Sequence, residues 1–153
     1  MLDTGAKVPA LSGTTQEGAT LKLSALKGRW VVVYFYPKDS TPACTTQAQG
    51  FRDLNAQFEQ RNAVVIGVSR DSVRSHANFC TKQDLPFTLI ADTDETWCQA
   101  FDVIHEKVLY GRRYMGIVRS TFLIGPDGRI QRRWSPVKVA GHAAEVLGSI
   151  PDA

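Results

Sequence analysis

Apolar residues along this chain alternate between short continuous runs and longer segments with helical spacing. The runs at 30–36 and 63–69 are mostly β-branched or aromatic, which is typical of strands buried on both faces of a parallel sheet. Between them, residues 42–60 repeat apolar side chains every three to four positions, as an amphipathic helix does. The pattern therefore predicts a strand, a helix and a second strand. The residues expected along the buried helix face are Cys44, Ala48, Phe51, Asn55 and Phe58.

The rest of the chain continues this alternation, with no linker, repeat or low-complexity segment. A strand, helix and strand followed by a hairpin and a closing helix predict an α/β, thioredoxin-like fold. We expect a central mixed sheet flanked by helices and a single domain over residues 1–153. The remaining predicted elements are a helix at 72–82 opened by Asp71 or Ser72, a strand at 87–90, a helix at 94–101, hairpin strands at 120–124 and 129–134 around the turn 125–128, and a helix at 140–147.

One cysteine lies where the first strand passes into the first helix. Pro37 stops the strand, Thr41 fits an N-cap and Pro42 fits the first helical position, which puts Cys44 at the third. At that position free N–H groups and the helix dipole favour a negative group, so a thiolate at Cys44 is stabilised there. The Thr41 oxygen is also placed to accept the N–H of Cys44. A buried structural thiol is the alternative interpretation of Cys44.

Composition restricts the function classes. The chain has 153 residues, of which 43% are hydrophobic and 22% charged, as in ordinary globular proteins. No apolar run is long enough to span a membrane and the first residues show no signal-peptide core, so we expect a cytoplasmic protein. A net charge of +3 is too small to indicate a nucleic-acid partner. Three cysteines without CxxC or zinc spacing predict neither a disulfide framework nor a metal site.

The residues around this cysteine resemble a known family. The segment 34–46 is similar to the active-site segment of the peroxiredoxins, whose pattern is Pro-x-x-x-Thr-x-x-Cys. Within that family it is closest to the peroxiredoxin Q, or bacterioferritin comigratory protein, subgroup. The segments 67–72, 85–89 and 110–124 are also similar, so the resemblance covers nearly the whole chain.

The resemblance implies a role for each residue of the motif. Cys44 would be the peroxidatic nucleophile, which becomes a sulfenic acid. Arg119 would hold the thiolate and the peroxide, and the Thr41 hydroxyl would orient them, with the backbone N–H groups of Ala43 and Cys44. Pro37 would shield the sulfur. Taken alone, Thr41 could be only an N-cap, Arg119 a surface charge and Pro37 a strand terminator. The resemblance implies no cofactor and no metal.

Two positions depart from the family pattern. Most members carry Glu three residues after the nucleophile, where this chain has Gln47; a neutral amide is expected to support Arg119 less firmly. Many members place a resolving cysteine five residues beyond the nucleophile, where this chain has Gln49.

The resemblance to another subset of the family implies that Cys80 is the resolving cysteine. The helical pattern alone would make Cys80 a packing residue, and Cys98 is an alternative resolver. His76 lies one turn before Cys80, but two residues are too few to predict a metal site. If Cys80 resolves, the first turns of the Cys44 helix must unwind, and Gly50 within that helix eases the unwinding.

The resemblance implies a thiol peroxidase that reduces hydrogen peroxide and organic hydroperoxides. A Cys44–Cys80 disulfide would be recycled by thioredoxin or glutaredoxin, and the protein would act as a monomer without a nucleic-acid or membrane partner. Two alternatives remain open: a one-cysteine peroxidase that uses an external thiol, and a redox-regulated holdase. A thioredoxin-type oxidoreductase is disfavoured because Thr41 stands where the first cysteine of its CxxC would be.

Overall fold

A five-stranded sheet lies at the centre of the molecule, for which a computed structural model describes residues 1–152. A short 3-10 helix and two small antiparallel pairs of strands accompany it. In chain order the elements are β1 (Ser12–Thr14), β2 (Thr20–Lys22), the 3-10 helix (Leu23–Leu26), β3 (Trp30–Phe35), α1 (Pro42–Gln60), β4 (Ala63–Ser69), α2 (Val73–Gln83), β5 (Thr88–Ala91), α3 (Thr96–Phe101), β6 (Ile104–Leu109), β7 (Arg112–Ile117), β8 (Ser120–Ile124), β9 (Ile130–Trp134) and α4 (His142–Gly148).

The central sheet is mixed, as expected. Its order is β5-β4-β3-β8-β9; β3 pairs parallel to β4, and β4 parallel to β5. The hairpin strands β8 and β9 run antiparallel, with β8 beside β3. The most apolar strand of the chain, β3, is therefore the middle strand, and α1 starts from its carboxyl end. The expected α/β fold with a central mixed sheet flanked by helices is confirmed.

Several predicted boundaries were wrong by one or two residues. The first strand ends at Phe35 rather than at residue 36. The helix expected at 94–101 begins at Thr96, because the Asp94 carboxylate accepts the Thr96 N–H and Glu95 is left-handed with φ 63°. The last helix occupies 142–148 rather than 140–147, since Gly141 has φ 72°. The helix at 72–82, the strand at 87–90 and the strand at 129–134 are Val73–Gln83, Thr88–Ala91 and Ile130–Trp134.

Of the two proposed caps of α2, Ser72 is the N-cap. Its hydroxyl oxygen accepts the backbone N–H of Ser75 at 3.1 Å. The β6–β7 hairpin and the short β1–β2 pair were not predicted. Both lack the apolar runs that identified the central strands, because residues 108–115 are exposed and β1 and β2 have three residues each.

Two apolar clusters cover the two faces of the sheet, because alternate residues of each strand point to opposite sides. One cluster contains Val32 and Tyr34 of β3 with α1, α4 and part of α2. The other contains Val31, Val33 and α3. The five predicted face residues of α1 are all buried. Within residues 1–152, no helix is long and apolar enough to cross a membrane.

Candidate active site

Cys44 lies at the third position of α1, directly beyond the carboxyl end of the middle strand. Its side chain is only 1% exposed. The residues beside it differ in accessibility, since Pro37 and Thr41 are half-buried while Pro42 and Ala43 are exposed. The sulfur is thus enclosed by protein, next in sequence to residues that are exposed.

The Thr41 hydroxyl does not cap the helix, contrary to the sequence prediction. Thr41 has the extended backbone of an N-cap, with φ −84° and ψ 154°. Its hydroxyl instead donates to the Lys38 carbonyl at 2.8 Å, across a turn in which Ser40 is left-handed with φ 62°. The N–H groups of the first helical turn, including those of Ala43 and Cys44, have no intrahelical acceptor. They therefore remain available as donors at the helix start.

Arg119 reaches this sulfur from a distant part of the chain. It lies in the short connection between β7 and β8, where its carbonyl accepts the Val137 N–H at 2.9 Å. Its Nη1 lies 3.4 Å from Cys44 Sγ, within hydrogen-bond distance for sulfur. The structure thus brings a thiol together with a guanidinium and a helix N-terminus, and the last two favour negative charge on the sulfur or on a bound oxygen.

Gln47 contacts the same nitrogen of the guanidinium. It lies one turn after Cys44 and is 3% exposed, and its Oε1 accepts from the same Arg119 Nη1 at 2.7 Å. This neutral amide therefore contacts Arg119 at an ordinary hydrogen-bond distance. Its Nε2 is buried and finds no hydrogen-bond partner among the residues that the structure describes. One half of the amide supports the site and the other half is an unsatisfied donor.

Lys107 of β6 adds positive charge near this pair and was missed in the sequence. Burial lowers its pKa, and the nearby charges of Arg119 and Arg70 lower it further, while Cys44 acts in the opposite direction. The only sequence feature that could have indicated Lys107 is its position in the segment that precedes Arg119.

Cys80 lies on α2, half-buried against the apolar cluster that contains Cys44. Burial, followed by the negative charges of Asp39 and Glu17, raises the pKa of the Cys80 thiol to about 11. Cys44, Cys80 and Cys98 are all free thiols. In this state Cys80 is a protonated thiol and a poor nucleophile.

Cys98 lies on the opposite face of the sheet, fully buried in the cluster around α3. Burial raises its pKa well above the ordinary value, and Asp92 raises it further. The five strands separate it from Cys44.

A buried polar network next to the site was not predicted. The sequence analysis considered His76 only as a possible ligand beside Cys80, whereas its Nδ1 lies 2.7 Å from Asp39 Oδ2. Asp39, His76 and Asp71 place their ligand atoms within 4.8 Å of one another, but Asp71 already accepts from the Asp39 N–H and the Ser69 hydroxyl. The three groups therefore satisfy one another by hydrogen bonds. The sequence features that could have indicated this network are a histidine on the buried face of α2 and an aspartate shortly after β3.

Known proteins resemble this chain over nearly its whole length. Residues 4–133 match the model of the AhpC/TSA family. Peroxiredoxin Bcp of Xanthomonas campestris pv. campestris is 53% identical over 141 residues, which cover 92% of this chain and 86% of that protein. Peroxiredoxin Bcp of Bacillus subtilis is 47% identical over 151 residues, covering 99% and 96%. A structure concerned with the alkyl peroxide reduction activity of Xanthomonas campestris bacterioferritin comigratory protein, from trapped intermediate and ligand complexes, has a TM-score of 0.87 at 50% identity, covering 91% of this chain and 88% of that chain.

Proposed function

The chain belongs to the AhpC/TSA family and, like its curated relatives, is a peroxiredoxin with a thioredoxin-like fold, and we propose that its peroxidase chemistry uses Cys44, Arg119 and Cys80. Peroxiredoxins are thiol-dependent peroxidases, so the enzyme consumes a peroxide and a thiol reductant. The contact between Arg119 Nη1 and Cys44 Sγ at 3.4 Å is the observation that supports this assignment of residues.

In the first step, the Cys44 thiolate attacks one peroxide oxygen. The O–O bond breaks, a sulfenic acid forms on Cys44, and the other oxygen leaves with the electron pair and takes up a proton to become water or an alcohol. Charge moves from sulfur to the leaving oxygen, and the Arg119 fork can donate to both atoms during this transfer. The N–H groups of Ala43 and Cys44 supply further donors at the helix start. Thr41 orients the peroxide through its hydroxyl oxygen, and Pro37 keeps water from the sulfur.

In the second step, Cys80 attacks the sulfenic sulfur, which gives a Cys44–Cys80 disulfide and water. The raised pKa of Cys80, about 11, argues that this step follows a local change of structure. Its two main causes, burial and the Asp39 charge, are relieved when Cys80 leaves the cluster. Cys98 is a weaker candidate because it lies behind the sheet.

A disulfide map after one equivalent of peroxide tests this assignment. We expect mass spectrometry to find a Cys44–Cys80 bridge in the wild type, a persistent sulfenic acid in Cys80→Ser and no oxidation product at the remaining thiols in Cys44→Ser. Cys98→Ser is the matched control and should form the same bridge as the wild type. A Cys44–Cys98 bridge, or a stable sulfenic acid in the wild type, would contradict the resolving role of Cys80 and favour a one-cysteine mechanism with an external thiol.

Organic hydroperoxides are proposed substrates beside hydrogen peroxide, because the relative from Xanthomonas campestris was studied for alkyl peroxide reduction. Thioredoxin or glutaredoxin is the proposed reductant. Peroxide-dependent oxidation of either one by the pure protein would test that choice, and client protection in Cys44→Ser would favour a holdase instead. We further propose that residues 1–153 act as one domain, as a monomer and in the cytoplasm.

A further inference from the structure

Asp39 and His76 join the loop before Cys44 to the helix that carries Cys80. Asp39 lies between β3 and α1, and His76 lies on α2. Their side chains are 2% and 0% exposed, and Asp39 Oδ2 lies 2.7 Å from His76 Nδ1. The pair is therefore a buried cross-link between the two segments that must rearrange when the cysteines meet.

The hydrogen bonds around this pair fix its protonation. His76 Nε2 lies 2.9 Å from the carbonyl oxygen of Ile90 on β5, and a carbonyl only accepts, so Nε2 carries a proton. The Nδ1···Oδ2 contact then holds a second proton, and the pair as a whole is neutral. Asp39 also accepts from the hydroxyls of Tyr36 at 2.6 Å and Ser75 at 2.8 Å. A buried pair with its bonds satisfied is costly to separate.

The segments beyond this pair are easier to move. The first turn of α1 has no side-chain cap at Thr41, and Gly50 lies within the same helix. Cys80 is half-buried, in contrast to His76 one turn earlier. Unwinding on the Cys44 side and on the Cys80 side can therefore proceed while the Asp39–His76 contact stays closed.

The contact also shortens the path between the two sulfurs. Cys44 follows Asp39 by five residues and Cys80 follows His76 by four. Extended arms of that length reach up to roughly 17 Å and 13 Å, enough to bring the two Cα atoms within the ~7 Å that a disulfide requires. Without the contact the nearest backbone link between the two segments is the Tyr36 N–H bond to the Val68 carbonyl, beyond the paired ends of β3 and β4, and the two arms lengthen to eight and twelve residues. Loop-closure scaling from about 20 to about nine residues corresponds to an effective concentration roughly 3-fold higher.

We propose that the Asp39–His76 pair is a fixed anchor for disulfide formation, which holds the bases of the Cys44 and Cys80 segments together while their cysteines approach each other. His76 and Asp39 are positioning residues, since neither touches the reacting atoms. The proposal rests on the proposed resolving role of Cys80. It predicts that weakening the pair makes the disulfide less favourable, whereas a contact that merely locks the reduced state would have the opposite effect.

A glutathione redox titration tests the anchor without any peroxide. Oxidised glutathione converts the two thiols to the Cys44–Cys80 disulfide and becomes two reduced glutathiones, so the equilibrium constant measures the effective concentration of the thiols. His76→Gln places an amide donor near the Nε2 position and keeps the Ile90 bond, while His76→Asn places it near Nδ1 and keeps the Asp39 bond. We expect the constant to fall about 3-fold in His76→Gln and less than 1.5-fold in His76→Asn.

Two milder variants complete the test. Ser75→Ala removes one donor to Asp39 and should lower the constant about 2-fold, which keeps the proposal testable if a His76 variant does not fold. Ser72→Ala weakens the cap of the same helix without touching Asp39, and should leave the constant unchanged. An unchanged or raised constant in both His76→Gln and Ser75→Ala refutes the anchor. If the wild type forms no Cys44–Cys80 disulfide in this buffer, the anchor and the resolving role both fail, while peroxide consumption still judges the peroxidase function separately.

Discussion

Gln47→Met separates the support of Arg119 from the stability of the fold. The substitution keeps the length of the side chain and removes both halves of the amide. The Oε1 bond at 2.7 Å from a charged guanidinium is lost, and such bonds contribute about 1.5–3 kcal/mol. If most of that is needed to hold Arg119 against the reacting oxygens, the rate constant for peroxide falls about 10- to 100-fold, since each ~1.36 kcal/mol is tenfold.

The same substitution should not destabilise the protein. Gln47 Nε2 is buried without a partner within residues 1–152, and removing an unsatisfied donor recovers about 1–3 kcal/mol. This gain offsets the lost bond to Arg119, because the guanidinium is half-buried and can turn towards water. We expect the free energy of unfolding to change by less than about 1 kcal/mol. Activity and stability thus respond differently, and partial unfolding cannot explain the slower reaction.

Stopped-flow oxidation of the reduced protein, with urea unfolding in parallel, measures both quantities. Gln49→Met is the matched control. Gln49 Nε2 donates to Gln83 Oε1 at 3.0 Å and does not contact Arg119, so its loss should leave the peroxide rate unchanged. Gln47→Glu retains an acceptor for Arg119 and should keep the wild-type rate or exceed it. If Gln47→Met reacts within 2-fold of the wild type, the Gln47–Arg119 contact does not support the reaction.

Three further predictions concern other residues of the fold. Thr41→Val should slow the peroxide reaction about tenfold while α1 keeps its amide-exchange protection, because the hydroxyl bonds Lys38 rather than the helix; equal loss of protection would restore the capping role. Burial lowers the pKa of His142 from 6.5 to about 4. The free energy of unfolding is therefore highest above pH 6.5 and falls by up to about 3 kcal/mol between pH 6.5 and 4, where the unfolded chain takes up a proton that the folded protein does not. Urea unfolding of His142→Gln, which keeps a group to bond Thr121, should lack that loss, and an unchanged pH slope would refute the assignment. Cys98→Ala should lower the free energy of unfolding by about 1 kcal/mol and leave the peroxide-induced disulfide intact in the mass spectrum.

The strand-to-helix junction could be predicted because its determinants are local. The apolar run of β3, the proline at the first helical position and the buried face of α1 are separate signals over thirty consecutive residues, and they agree. They place Cys44 at a helix start whatever the rest of the chain does. The hydrogen bond of the Thr41 hydroxyl was predicted wrongly. An N-cap backbone lets this hydroxyl either accept a helix N–H or donate to a preceding carbonyl, and the left-handed Ser40 that selects the second arrangement carries no sequence signal.

The partners of the sulfur could not be derived from local pattern. Arg119 is 75 residues from Cys44 and lies in a two-residue connection between strands. In such a connection, composition and periodicity do not indicate where a side chain points. Only the family resemblance indicated it. The Asp39–His76 pair escaped both approaches, because it joins a loop to a helix and depends on how α2 rests against β5. Side-chain networks of this kind follow from tertiary packing rather than from propensity.

The environments of the two cysteines impose an order on the chemistry. Burial and the Asp39 charge raise the pKa of the Cys80 thiol from 9.0 to about 11, so the folded site suppresses the Cys80 thiolate about 100-fold at pH 7. Arg119 and the helix start favour negative charge at Cys44 instead. If Cys80 is the resolving cysteine, as proposed, it gains reactivity only when it leaves the apolar cluster. In that mechanism the departure also brings Cys80 towards the sulfenic acid, so the same movement activates the second thiol and delivers it, and the proposed anchor at Asp39 and His76 limits how far the thiol must travel.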